Sequence, residues 1–166
     1  MRRGAVWLFC LALLAHGSCS AQGDGESSGP LARSEPRIVG LVPVRNEARR
    51  IAFCLRALAM FTDTIVVLDD DSGDSTLAVV NGLREECRIE RVIAKDGAWL
   101  RNETHDRNLL LDAGRAIGGT HFVVLDADEA FTSNLLDGDE LRSQIMQLAP
   151  GESIALHWIQ LWKSTR

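Results

Sequence analysis

The sequence predicts an α/β fold, a mainly parallel sheet flanked by helices. Three observations carry that expectation: short continuous apolar runs at 38–42, 64–68 and 121–125, apolar positions at helical spacing between them, and polar clusters directly after the runs. Continuous apolar runs of this length suit strands buried on both faces, as parallel strands are, better than half-exposed strands, which alternate. Strands alternating with helices imply right-handed crossovers within one parallel sheet.

The elements follow in order. A first strand at 38–42 ends at Pro43, and over 48–61 Ile51, Cys54, Leu55, Leu58 and Ala59 recur at helical spacing. A second strand at 64–68 runs into an acidic turn and then a helix whose Thr76, Val80, Leu83 and Cys87 share one face. A third strand is expected at 91–94, followed by a polar loop at 95–103 that holds Trp99. Leu109 or Leu110 with Ala113 and Ile117 marks a third helix, which Gly118-Gly119 stops. The fourth strand, 121–125, delivers Asp-Ala-Asp-Glu at 126–129. Leu141, Ile145 and Leu148 mark a helix at 139–148 with Pro150 beyond it, and 153–161 reads as a last strand.

The chain of 166 residues is long enough for one domain with a real core. Residues 1–21 are of another kind: Arg2 and Arg3 precede an apolar run at 5–15 and then small residues, the pattern of a secretory signal cut near Ser20 or Ala21. A bilayer span needs ~20 apolar residues, so no stable membrane span is expected. Residues 22–36, rich in Gly, Ser, Glu and Pro, read as a disordered linker, and 37–166 as the folded domain. The expected destination is the secretory pathway, the lumen of the endoplasmic reticulum or Golgi or the exterior, and the Asn102-Glu103-Thr104 glycosylation triplet agrees with it. Cys54 and Cys87 fall on apolar helix faces, where a free Cys acts as a small hydrophobe, although an oxidising compartment would let them pair. A net charge of −5 with scattered Lys and Arg argues against a nucleic-acid partner.

Three polar clusters, 43–47, 69–74 and 126–129, fall at the carboxyl ends of predicted strands, where open α/β sheets bind ligands. Carboxylates brought close together repel, and a divalent cation relieves the repulsion. Mn2+ or Mg2+ takes one or two protein carboxylates and completes its shell with water and substrate phosphate oxygens, so the implied substrate carries phosphate. Asp71, Ser72 and Asp74 are equally well placed to cap the helix that follows. For Asp126 and Asp128 capping is the weaker account, because no helix begins at once. Neither Gly-rich phosphate-loop pattern is present, and no Ser-His-Asp or Cys-His arrangement can be assembled. His105 reads as a surface residue.

The run IVGLVPVRNEARRI resembles the opening strand, Pro and Asn-Glu of family-2 glycosyltransferases, and IVVLDDDSGDST resembles their second-strand acidic segment. HDRNLLLDAGRAIGGTHFVVLDADE resembles their Arg-Asn helix followed by the Asp-x-Asp strand. Three motifs in the right order over 37–132 make the resemblance specific. It implies a Rossmann-like GT-A fold for nucleotide-diphosphate sugars, incomplete at the C-terminus. It implies that Pro43, Asn46 and Glu47 border the nucleotide, that Asp69 and Asp70 contact the nucleoside, usually uracil and ribose, and that Arg107 and Asn108 lie near base or diphosphate. Asp126 is implied toward the ribose and, with Asp128, at the metal. Two positions depart from the family pattern: Asp71 stands for the usual Gly and Gly73 for the usual Thr.

The implied reaction is metal-dependent, inverting transfer of a sugar, from a UDP-sugar by expectation, to a hydroxyl of an unidentified glycan, lipid or protein. The family's catalytic base lies beyond the Asp-x-Asp. Nothing in 150–166 matches that motif, and Glu152 is a poor candidate because it opens a strand. The chain therefore reads as a piece of a longer protein, and a nucleotide-sugar-binding fragment without transfer is the alternative. A third reading, a phosphohydrolase of the haloacid dehalogenase type, rests on VVLDDDSGD, but that family carries its motif on the first strand and follows it with Thr or Val. Trp99, Trp158 and Trp162 are candidates for stacking on an acceptor sugar or for plain packing.

Overall fold

The structure, a computed structural model, describes residues 8–11, 35–95, 102–131, 139–157 and 159. The remainder of the predicted signal, the linker up to residue 34, and Trp99, Trp158 and Trp162 lie outside the described residues. In chain order the elements are β1 (Leu8–Leu11), β2 (Ile38–Val44), α1 (Ile51–Ala59), β3 (Thr64–Asp69), α2 (Thr76–Gly82), β4 (Ile89–Ala94), α3 (Glu103–Ala116), β5 (His121–Val124), α4 (Asp139–Met146) and β6 (Ser153–Leu156). Strands β4-β3-β2-β5 form one parallel sheet in that spatial order, as the alternation of strands and helices predicts. Every residue of β3, and all of β2 except Pro43, is buried, which accounts for their unbroken apolar runs.

The pleat sorts the core into two layers. Val42, Val44, Ile65, Val67 and Val123 pack with α1, α2 and α4, whereas Leu41, Val66, Leu68 and Phe122 pack with α3. Successive β2 connections lead outward to β3 and β4, and the chain then crosses back to β5 on the other side of β2. Crossovers of one hand running in opposite directions put their helices on opposite faces, so α3 alone covers the second face among the described helices. The carboxyl ends of β2 and β5 are consequently a topological switch point.

Close helix–sheet contact needs glycine in places. A Cβ on Gly40 in β2 would stand 2.6 Å from the Leu58 side chain of α1. One on Gly119 would stand 2.7 Å from the Gly114 carbonyl and from the Phe122 ring. The predicted stop of α3 is a Schellman motif: Gly118 has φ +84, its N–H donates to the Arg115 carbonyl at 2.9 Å, and the Gly119 N–H donates to Gly114 at 2.9 Å.

Several predicted boundaries shift: β4 begins at Ile89 rather than 91, α2 ends at Gly82, short of Leu83 and Cys87, and α4 ends at Met146 rather than 148. The first helix, expected over 48–61, begins at Ile51, because residues 48–50 form a turn whose Arg50 and Ile51 amides both donate to the Glu47 carbonyl at 2.9 Å. The last strand, expected over 153–161, spans Ser153–Leu156 and pairs antiparallel with β1, outside the main sheet. Its residues alternate between exposed and half-buried, so it has one apolar face only, Ile154 and Leu156, turned toward Val123, Phe131 and α4. Cys54 and Cys87 are both buried and free, as the small-hydrophobe reading has it.

Candidate functional site

The two loops that follow β2 and β3 are tied to each other. The Asn46 N–H donates to Ser72 Oγ at 2.9 Å, and Asn46 Oδ1 accepts from the Gly73 N–H at 2.8 Å. The Glu47 N–H donates to Thr76 Oγ1 at 2.9 Å and the Ala48 N–H to Asp74 Oδ2 at 3.3 Å, which supplies the start of the α1 turn with partners from the neighbouring loop. Asp74 Oδ1 also accepts from the N–H and hydroxyl of Thr76, and the hydroxyl bond holds its carboxyl below the usual range. Of the three residues suited to capping α2, Asp74 is therefore the one whose carboxylate binds the helix start; Ser72 turns to Asn46 and Asp69, and Asp71 is exposed. Asp71 has φ 57, the left-handed conformation that glycine favours and Asp tolerates, so the turn keeps a glycine-like backbone without the glycine.

Beside these loops a cavity of about 360 Å³ opens at the switch point, lined by Pro43, Val44 and Arg45 at the carboxyl end of β2, Leu68 and Asp70 at that of β3, Glu103, Asp106 and Arg107 at the start of α3, and Asp126 after β5. Its two ends differ. At one, Asp70 is pinned through its N–H to the Val44 carbonyl at 2.8 Å, while the Arg45 guanidinium donates to the Asp70 carbonyl at 2.9 Å and stands 3.8 Å from its carboxylate. Lys95 Nζ lies 2.5 Å from Asp70 Oδ1 and donates to both carboxylate oxygens of Asp106, at 2.9 and 3.1 Å. The bond to Asp70, with Asp106 adding, raises the Lys95 pKa.

At the other end Arg107, fixed to Glu103 at 2.9 Å one helical turn back, reaches Asp126 Oδ1 at 3.4 Å. Burial raises the Asp126 carboxyl above the usual range; Arg107 opposes the shift, and Asp128 and Glu103 add to it. Burial likewise raises Glu129, with Asp126 and Asp128 contributing. Glu129 Oε2 accepts from the Asp126 N–H at 3.2 Å and the Glu129 N–H donates back to the Asp126 carbonyl at 2.9 Å, so this residue closes the turn that presents the Asp-x-Asp. Below it, burial first and then the acidic turn push the Cys54 thiol up to about 12, so it stays protonated and donates to the Asp126 carbonyl at 3.5 Å.

An acidic turn of raised pKa next to a single guanidinium suits a hard cation, and the oxygen donors on Asp126 and Asp128 are those Mn2+ and Mg2+ take. Among the described residues no group of three or more His, Cys, Asp or Glu converges on one point, so an ion there would complete its shell with ligand and water oxygens.

Of the residues singled out in the sequence, Pro43, Asp70, Arg107 and Asp126 line the cavity. Asn46, Glu47, Asp69, Asn108 and Asp128 do not. Asp69 is buried, and its two carboxylate oxygens accept from the Ser72 hydroxyl and N–H at 2.5 and 3.1 Å; its work is holding the turn. Asn46 joins the loops, Glu47 pairs with Arg50 at 3.0 Å, and Asn108 and Asp128 are exposed. His105 is exposed, as expected, and Glu152 accepts from the Ala149 N–H at 2.8 Å in an exposed turn. Arg45, Lys95 and Asp106 also belong to the site or its support, and the sequence signal for each is its place beside a motif or directly after a strand.

Residues 41–137 match the family model for glycosyl transferase family 2. Among solved structures, the chain is similar to the mannosyltransferase PcManGT from Pyrobaculum calidifontis in complex with GDP-Man and Mn2+, at 26% identity and TM-score 0.52, over 70% of this chain and 33% of that one. It is also similar to S. aureus TarS 1-349 in complex with UDP, at 23% identity and TM-score 0.48, over 65% of this chain and 32% of that one. The chain thus spans no more than about a third of the length of these structures. No curated protein matches it significantly.

Proposed function

The chain belongs to glycosyl transferase family 2, and from that membership we propose that it forms the donor-binding part of an enzyme that transfers a sugar, with inversion, from a UDP-sugar to an acceptor hydroxyl. The observation that carries the reading is the two-ended cavity at the switch point, with Asp70 at one end and Arg107 beside Asp126 at the other. An acceptor for base or ribose hydrogens at one end and a guanidinium at the other match a nucleoside diphosphate lying across the strand ends.

In this reading Asp70 accepts from the nucleoside, Pro43 and Leu68 supply the apolar wall beside it, and Arg107 neutralises diphosphate oxygens. Asp126 and Asp128 would hold Mn2+ or Mg2+, which supplies Lewis-acid stabilisation of the departing diphosphate. The acceptor in this reading is a glycan, lipid or protein hydroxyl. Family membership leaves the phosphohydrolase alternative without support, because its motif falls inside the matched region.

Calorimetric titration of the full chain with UDP tests the reading. Binding is expected with Mn2+, is expected to weaken at least about tenfold without it, and is expected to lose its metal dependence in Asp128→Ala. Absence of nucleotide binding in the unaltered chain would overturn it.

We further propose that this chemistry takes place in the lumen of the secretory pathway, on the strength of the basic-apolar leader and the exposed Asn102 triplet. Asn102 caps α3 by accepting from the His105 N–H through Oδ1, which leaves its amide nitrogen for a glycan. Expressed in secreting eukaryotic cells, the protein should shift in mass on endoglycosidase treatment, and Thr104→Ala should abolish that shift while leaving the cap in place. A product that stays in the cytosol would refute the luminal assignment, and a secreted product with no sensitive glycan would refute Asn102 as a glycan site.

A further inference from the structure

We propose that Lys95 is a positioning residue for the nucleoside end of the donor cavity, an inference that rests on the donor-binding reading above. Lys95 does not line the cavity, yet it bonds to two residues that do: Asp70 on the β3 side at 2.5 Å and Asp106 on α3 at 2.9 Å. It is itself fixed, because it directly follows β4 and its N–H donates to the Asp69 carbonyl at 2.9 Å.

The three side chains are mostly withdrawn from water, with 25%, 16% and 10% of Lys95, Asp70 and Asp106 exposed. Two carboxylates at that depth repel each other unless a cation stands between them. Lys95 is the cation between them, beside Arg45 at 3.8 Å from Asp70, and its position sets two things together: the rotamer of Asp70 and the residual charge at the base-binding end. A carboxylate held in one rotamer binds a base N–H at less entropic cost than one that swings. An uncharged replacement leaves Asp70 facing Asp106 with no cation between them and with the 3.8 Å contact to Arg45 remaining, which draws its carboxylate away from the Asp106 side. The acceptor is then no longer held in the rotamer aimed at the base. The diphosphate end is built separately, from Arg107, Glu103 and Asp126.

The test separates the two ends. The full chain, unaltered and as Lys95→Met and Lys95→Arg, is titrated with UDP and with pyrophosphate, each in the presence of Mn2+. Lys95→Met is expected to weaken UDP about 10- to 100-fold, the range for a lost hydrogen bond to a charged group, while pyrophosphate affinity stays within about twofold. Lys95→Arg is expected to recover most of the UDP affinity, because a guanidinium bridges two carboxylates as well. Equal weakening of both ligands in Lys95→Met would make Lys95 a purely structural tie and overturn the inference, as would unaltered UDP affinity. If Lys95→Met fails to fold, the inference stands or falls on Lys95→Arg: UDP within about threefold of the unaltered chain supports it, and equal loss of UDP and pyrophosphate overturns it. Failure of the unaltered chain to bind UDP brings down the donor-binding reading and this inference with it, an outcome distinct from all the others.

Discussion

Phe122→Ala is expected to cost about 3–5 kcal/mol of folding stability, among the largest single losses this chain can show. The ring is 1% exposed, and it lies flush against two glycines: a Cβ on Gly114 would stand 2.8 Å from its Cε1 and one on Gly119 2.7 Å. Atoms that close cannot follow a truncated side chain inward without moving α3, because the Gly119 N–H is bonded to the Gly114 carbonyl in the helix stop. The cavity left by the ring therefore stays open, which is the condition under which truncation costs most. For a domain whose total stability is typically about 5–15 kcal/mol, the loss is a large fraction. Urea denaturation should show a lower midpoint at similar slope. A loss below about 1 kcal/mol would mean that the α3 layer collapses onto β5 freely, contrary to the glycine contacts. Because α3 carries Arg107 and Asp106, the same variant should also weaken nucleotide affinity.

The strands were legible because both faces of β2 and β3 are buried, and a run such as 64–68 leaves few alternatives. The α3 stripe was legible in Leu110 and Ala113, and its end in Gly118. What was not drawn from the sequence is which members of each acidic cluster face the cavity, and the pleat decides that. Leu41, Val66, Leu68, Ile93 and Phe122 all belong to the α3 layer. Counting on by two along each strand leads to Pro43 and Arg45, to Asp70, to Lys95 and, through Val124, to Asp126. These are the cavity wall and the lysine behind it. The opposite parity leads from Val44 to Asn46 and from Val67 to Asp69, the residues that tie the loops together. A motif match treats Asp69 and Asp70 as a pair, whereas alternation sends one into the turn and the other into the site. The antiparallel pairing of β6 with β1 was beyond such reasoning, because it depends on contacts between segments more than a hundred residues apart.

Asp126→Asn is expected to separate function from stability. The substitution keeps size and shape and removes a charge that the fold holds at a disadvantage: burial, together with Asp128 and Glu103, raises this carboxyl above its unfolded value of 3.8. A raised carboxyl favours the folded state below its unfolded pKa, and that contribution is lost as pH rises through the folded pKa. At neutral pH the ionised group therefore weighs against the fold, and the neutral amide does not. Its bond to Arg107, at 3.4 Å with 45% of the Asp126 side chain exposed, is too solvated to reverse the sign. The melting temperature of Asp126→Asn at pH 7 should accordingly equal or exceed that of the unaltered chain, and the difference should shrink as pH falls toward 4. Binding should move the other way. Loss of one of two carboxylates at the metal should weaken UDP in Mn2+ by about 100-fold or more, since divalent ions at such sites depend on very few protein oxygens. A clear fall in melting temperature with nucleotide affinity intact would show that Asp126 serves the turn rather than the ligand. A rise in stability paired with loss of binding is what a charge kept in place for a cation should produce.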